Sequence, residues 1–328
     1  MLKELDISHS YFYECPELRN TTYKKINLSS NRISVLWNDN FPDNVEELDL
    51  HSNRLLDDGL LSVWPDSIHT LNLSFNLFTS FSSILHWPLH LKHLTISHTM
   101  LEGPLPILPD TIEVLNISNT YISSIQHLPA NLQTLDASRT ILVALPYRLP
   151  ENILHVNISE CKLKNSGLPK IWGSKLQQLN LRYNRLKSVP HNLPETLLDL
   201  NVSNNFISEI SKPIPNSVEC FNISSNHLRV VPSWLFHRRH LKSILHFNHL
   251  INIPIGDNII ASFGQWDEEK YTKAANVISR NWRRLRLRRR LRAYYKNSQL
   301  KFPLLDHVLE PERIERLWGT EKFLQLFY

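Results

Sequence analysis

The sequence predicts an α/β-type repeat solenoid, with short parallel strands stacked into one concave sheet, a mostly irregular or extended convex side, and a helical cap at the C-terminal end. Three observations carry this expectation. An LxxLxLxxNxL-like frame recurs along residues 1–254, the self-similarity expected of stacked supersecondary units. The polar position of the frame returns at intervals from 20 residues (Thr120 to Thr140) to 23 (Asn53 to Asn76), which leaves no room for a full helix beside each strand. Beyond Pro254 the frame stops, and the sequence changes to helical patterning with an arginine run.

In chain order, the clearest copies are Val45 to Leu55, Ile68 to Phe78, Leu176 to Leu186 and Leu197 to Ile207. Weaker copies begin at Leu2, Leu91, Ile112, Leu132, Ile153 and Val218, and Tyr23 to Ile33 and a degenerate copy around Leu245 to Pro254 bring the total to about twelve. In each, alternating apolar residues such as Leu48 and Leu50 send side chains inward from a short strand. A single repeat has no partner for that apolar face, but a stack does. The ladder position reads Ser10, Asn31, Asn53, Asn76, Thr99, Thr120, then Thr140, Cys161, Asn184, Asn205, Asn226, Asn248. The chain turns inward there, so a side chain with a donor is needed to satisfy buried backbone groups.

These twelve registers resemble the leucine-rich-repeat family over residues 1–254. The resemblance implies a horseshoe with a parallel concave sheet and a role in protein interaction. The short, proline-containing form is similar to the repeats of bacterial secreted effectors and of proteins from large DNA viruses. Pro129, Pro150 and Pro194 follow leucines, and Pro146, Pro190, Pro232 and Pro254 fall six residues after the ladder position, which favours extended or polyproline convex segments. Where the spacing reaches 23, Trp64, Trp87 and Trp172 occupy the extra length, and short helical turns packed by the indole are expected there. Between the paired leucines the outward residues are nearly all Asn, Asp or Thr, followed two positions later by Ser. So uniform a face reads first as a hydrogen-bonded ladder and second as a surface for an extended or regular partner.

Residues 255–267 are expected to be a linker and 268–328 a helical appendage. Asp267 is a fitting N-cap, Glu268 and Glu269 suit the positive end of the helix dipole, and Trp266 can staple onto Tyr271. With no proline or glycine before Asn297, the spacing predicts a basic helix over 268–296, about 43 Å long. Short helices should follow from Pro311, where Ile314, Leu317, Trp318, Phe323 and Leu324 require burial. Ile278, Arg283 and Arg288 stand where the IQ motif, IQxxxRGxxxR, has its matching residues, with Ser279 and Arg284 in place of its glutamine and glycine. The resemblance implies a calmodulin-like EF-hand partner, with Ile278, Trp282 and Leu285 in an apolar groove and Arg283, Arg288, Arg289 and Arg290 on acidic rims. Three other readings stand beside it: a structural cap on the solenoid, nucleic-acid binding or nuclear import, and an anionic membrane surface.

The net charge of +5 hides an asymmetry, because eight arginines and one lysine between Arg280 and Lys296 contribute +9 with no acid among them, leaving 5 − 9 = −4 elsewhere. Cys15, Cys161 and Cys220 show neither metal spacing nor an even count, which favours a reducing compartment. The first residues lack a signal-peptide pattern and no run suits a membrane span, so an intracellular protein is expected. None of the seven glycines sits at phosphate-cradling spacing, and no catalytic, metal or cofactor constellation is expected. His237, His240, His246 and His249 crowd the last repeat and are read as a polar end of the array. Six Asn-x-Ser sequons, such as Asn72-Leu73-Ser74, fall inside the strands and are read as by-products of the repeat. The effectors resembled often carry a ubiquitin-ligase domain with a cysteine nucleophile. Here no cysteine follows Cys220 and 328 − 254 = 74 residues remain, so no enzyme is expected.

Overall fold

The computed structural model describes residues 4–238, 240–250 and 259–260. Strands of two or three residues run from Glu4–Asp6, through Lys25–Asn27, Glu47–Asp49 and their successors, to Lys242–Ile244 and Ile259–Ile260. They form one 13-stranded sheet in which every neighbouring pair is parallel and each repeat's strand lies beside the next repeat's. The last of these strands falls inside 255–267, the stretch expected as a linker. The 268–296 helix and the C-terminal helices of the expected cap lie outside the described residues.

Register follows the apolar alternation. Leu48 lies opposite Leu71, which lies opposite Leu94, and all three are at most 1% exposed. Burying each such side chain contributes about 1.5–3 kcal/mol, and no repeat bears the core alone. At the last full strand the core position is Ser243, fully buried, whose hydroxyl has no hydrogen-bond partner among the described residues.

The convex side is largely extended, as its prolines require. Trp64 and Trp172 are buried behind 3-10 turns, Asp57–Gly59 and Asn165–Gly167. Each turn has a glycine pressed on the preceding repeat: a Cβ on Gly59 would meet the Ser34 carbonyl oxygen at 2.0 Å, and one on Gly167 the Val143 oxygen at 2.1 Å. The expectation of a helical turn fails at Trp87. There Ser82 stands five residues before the indole, where the other two have glycine. The chain instead makes a β-turn closed by Ile84 N–H to the Phe81 oxygen, 3.0 Å, with Trp87 packed edge-on to Phe81.

Glu102–Pro104 and Tyr121–Ser124 form a separate two-stranded parallel sheet beside the central repeats. One short helix, Trp234–His237, follows Pro232.

Candidate interaction surface

Each asparagine of the ladder cross-links two repeats. Asn205 Nδ2 donates to the carbonyls of Val202 in its own repeat and Leu181 in the preceding one, both at 3.0 Å, while its Oδ1 accepts the Leu186 N–H at 3.0 Å. Asn31, Asn53, Asn76, Asn184, Asn226 and Asn248 use their amides in the same way. The three threonines do less. Thr99, Thr120 and Thr140 each donate to a carbonyl of their own repeat, those of Ile96, Ile117 and Ala137 at 2.8–3.0 Å, and only Thr140 also meets a neighbouring repeat, at Cys161 Sγ, 3.3 Å. Cys161 reaches back to the Ala137 oxygen at 3.3 Å, and burial raises the pKa of its thiol.

The concave polar row is engaged with itself. Asn72, Asn116, Asp136, Asn157, Asn201 and Asn222 each accept both the N–H and the hydroxyl of the serine two residues on, with hydroxyl distances of 2.6–2.9 Å. These bonds cap the strand ends, and they occupy the Asn oxygens that an incoming ligand would otherwise use. The sequon asparagines belong to this row.

Before every ladder residue stands one with φ between 52° and 57°, from His9, Ser30 and Ser52 to Ser225 and Phe247. None is glycine. The left-handed region costs a non-glycine residue about 1–3 kcal/mol. Its N–H is fixed in compensation by the next repeat: Phe75 N–H reaches the Ser97 oxygen at 2.9 Å, and Asn119 N–H the Ser138 oxygen at 2.9 Å.

The turn sends the residue after the ladder position outward. Its N–H donates to the preceding repeat, Leu77 to the Leu55 oxygen and Tyr121 to the Leu101 oxygen, and the next residue returns to the core. These outward residues therefore form one column along the edge of the solenoid, with rungs spaced by the strand separation of about 4.8 Å. Read down the column they are Tyr11, Arg32, Arg54, then Leu77, Met100, Tyr121, Ile141, then Lys162, Arg185, Phe206, His227, His249. The four consecutive apolar members, Leu77 to Ile141, are 44%, 50%, 53% and 37% exposed, and Tyr11 and Phe206 are exposed aromatics of the same column set apart from them by two cations each. Beside them the half-exposed Phe75 ring stacks on His98 with centroids 4.1 Å apart, and Val143 is exposed two residues beyond Ile141.

The fold leaves this column free. At the same place Arg54, Lys162 and Arg185 are exposed and make the equivalent backbone bonds. Solvent-facing hydrophobes thus gather on four consecutive rungs.

Solved structures of similar shape include the leucine-rich effector YopM from Yersinia pestis, 24% identical over 78% of this chain and 81% of that one, with a TM-score of 0.59. The leucine-rich repeat domain of APL1B aligns over 75% of both chains at 17% identity and a TM-score of 0.56. The Leptospira interrogans LRR protein LIC12759 covers 70% of this chain and 68% of its own at 18% identity and a TM-score of 0.51. The chain has the leucine-rich-repeat fold. No protein-family model matches the sequence, and no curated protein matches it.

Within this leucine-rich-repeat solenoid, the ladder asparagines named from the sequence lie on one interior row. Ile278, Trp282, Arg283, Leu285, Arg288, Arg289 and Arg290 lie outside the described residues. The histidines of the last repeats do not converge. His227 stacks on His249 with rings 5.4 Å apart, His237 Nδ1 contacts the Ser233 oxygen, and no group of three metal-ligating side chains forms among the described residues. No helix among them is long and apolar enough to cross a membrane. The outward column escaped sequence reading because its signal runs across repeats. Reading one position downward, through Leu77, Met100, Tyr121 and Ile141, would have found it.

Proposed function

We propose that this chain is a non-enzymatic protein-interaction scaffold working inside the cell, and that its solenoid engages a protein partner along the outward column. The observation that carries the reading is the run of four exposed apolar residues at a position where neighbouring repeats hold Arg or Lys. The concave face supports a framing role, since its polar row is spent on its own backbone. Cys15 and Cys161 are buried free thiols, consistent with a reducing compartment.

A photo-crosslinking residue placed at Tyr121, compared with one at Tyr147 in the convex side, tests the reading. Both side chains are more than half exposed. Adducts in cell extract confined to position 121 support a scaffold using this edge. Equal labelling at both positions, or none, contradicts it.

The basic stretch supplies a second contact in this proposal. The matches at Ile278, Arg283 and Arg288 favour a calmodulin-like EF-hand protein, and calcium-dependent capture that is lost on charge reversal at Arg283, Arg288 and Arg290 is the expected result. The alternative is a nucleic-acid-associated or nuclear adaptor, favoured by nine cations with no intervening acid. Binding to RNA or DNA that falls steeply with salt, with calmodulin ignored, would decide for it.

A further inference from the structure

The stripe Leu77, Met100, Tyr121, Ile141 has a length, a spacing and a charge at its ends, and together these specify what lies on it. Three rung intervals of about 4.8 Å make it about 14 Å long. An extended peptide laid across the repeats would present same-face side chains every 6.6–6.8 Å, roughly, and would fall out of step within two rungs. An α-helix whose apolar residues recur at i, i+4, i+7 and i+11 presents one about every 5.5 Å along its axis, so four contacts span about 16 Å and stay within about 2 Å of the stripe. The stripe matches one face of a helix.

Charge sets the ends. Beyond Ile141 the same column continues with Lys162 and Arg185, and the next outward positions of those repeats hold Lys164 and Lys187. All four are exposed, and none forms an ion pair within 4.0 Å among the described residues. At the other end Arg54 is exposed and likewise outside any such pair, whereas Arg32 is held by Tyr13 and lies over the Tyr11 ring. Glu102, outward of Met100 in its own repeat, is the carboxylate nearest in sequence to the stripe's middle. It disfavours a partner that is acidic throughout and leaves the acids at the ends.

Building on the scaffold reading above, we propose that Leu77, Met100, Tyr121 and Ile141 seat an amphipathic α-helix of a partner protein, lying across the repeats with acidic side chains over Lys162 and Arg185. The basic segment after residue 267 is the wrong charge for this seat. The apolar contacts provide affinity and the cations fix direction and register.

The test uses the full chain and three fluorescein-labelled synthetic peptides read by anisotropy. The first is an 18-residue helix-forming peptide with Leu at i, i+4, i+7 and i+11 and three Glu at one end. The second has the same composition with its leucines alternating, and the third carries Lys in place of the three Glu. The first should bind most tightly. Met100→Lys with Tyr121→Lys should weaken it at least about tenfold. Lys162→Glu with Arg185→Glu should weaken the first peptide and strengthen the third. Tighter binding of the alternating peptide, indifference to the stripe variant, or no binding of the first peptide overturns the proposal. So does a dimer in light scattering that Met100→Lys dissociates, which would make a second copy the occupant. If the peptide fails while position 121 still crosslinks a partner, the helix assignment falls and the scaffold stands.

Discussion

The central three repeats and those on either side share a backbone but divide their polar and apolar groups in opposite ways. In the flanks, asparagines such as Asn53 and Asn205 tie each repeat to the one before it, and the repeats that border the centre hold Arg54, Lys162 and Arg185 in the outward column, with Phe206, His227 and His249 further on. In the centre, Thr99 and Thr120 bond only within their own repeats and Thr140 adds a single contact with Cys161 of the next, and the outward column is Met100, Tyr121 and Ile141. The flanks therefore hold the array together through the interior, while the centre has fewer interior cross-links and a sticky exterior. Residues fixed by the fold look alike from repeat to repeat, and residues released by it are where the repeats differ.

Breaking the interior should show the asymmetry most strongly. Asn205→Ala leaves the buried Leu186 N–H without a partner and removes one of the two amide donors at the Leu181 and Val202 carbonyls, which Asn184 and Asn226 still serve, so it should cost about 2–3 kcal/mol. Thr120→Ala loses a single bond and should cost about 1 kcal/mol. Urea denaturation combined with amide exchange at Leu186 separates the two, and equal losses would show that centre and flank do not differ. Gly59→Ala should follow at about 1–3 kcal/mol, because its Cβ would meet backbone rather than a movable side chain. Ser82→Gly, at the equivalent site before Trp87, should give no comparable change in either direction.

A smaller effect depends on pH. Burial works against the Asp57 carboxylate, but the backbone and hydroxyl bonds from Thr79 and Ser80 outweigh it and hold its pKa below the usual value. A depressed folded-state value means stabilisation that is present above the unfolded pKa near about 4 and disappears as pH falls through the lower folded value. Asn165 performs the same task in the second 3-10 insertion with a neutral amide, accepting from Lys187 and Ser188. Asp57→Asn should therefore remove this acid-sensitive component from thermal melts between pH 5 and about 2, and an unchanged acid profile would refute the assignment. Smallest of all, Thr120→Asn should install a cross-link of the flanking type and raise the urea midpoint by an amount equivalent to about 1 kcal/mol.

How much of this was legible in the sequence depended on the direction of the signal. Leu48, Leu50 and Asn53 announce strand and turn within eleven residues, so the solenoid and its ladder could be read locally. Gly59 and Gly167 separate the two helical insertions from the Trp87 turn, but that distinction rests on contact with the previous repeat's backbone, which the tryptophans alone do not report. The left-handed residues carry no glycine to mark them, because a hydrogen bond to the following repeat imposes the conformation. The outward stripe is invisible within any one repeat, where Met100 or Ile141 is a lone exposed hydrophobe of the ordinary kind. Only stacking at about 4.8 Å turns four of them into a surface.

The central claim is that the outward column serves binding and not stability. The direct measurement pairs the urea midpoint of Met100→Lys with Tyr121→Lys against affinity for the Leu-patterned, Glu-ended helix. The account predicts a stability within about 0.5 kcal/mol per substitution of the parent, with affinity reduced at least about tenfold. A large loss of stability in that variant, with Arg54→Leu or Lys162→Leu stabilising the array in return, would show that the stripe belongs to the core and would contradict it.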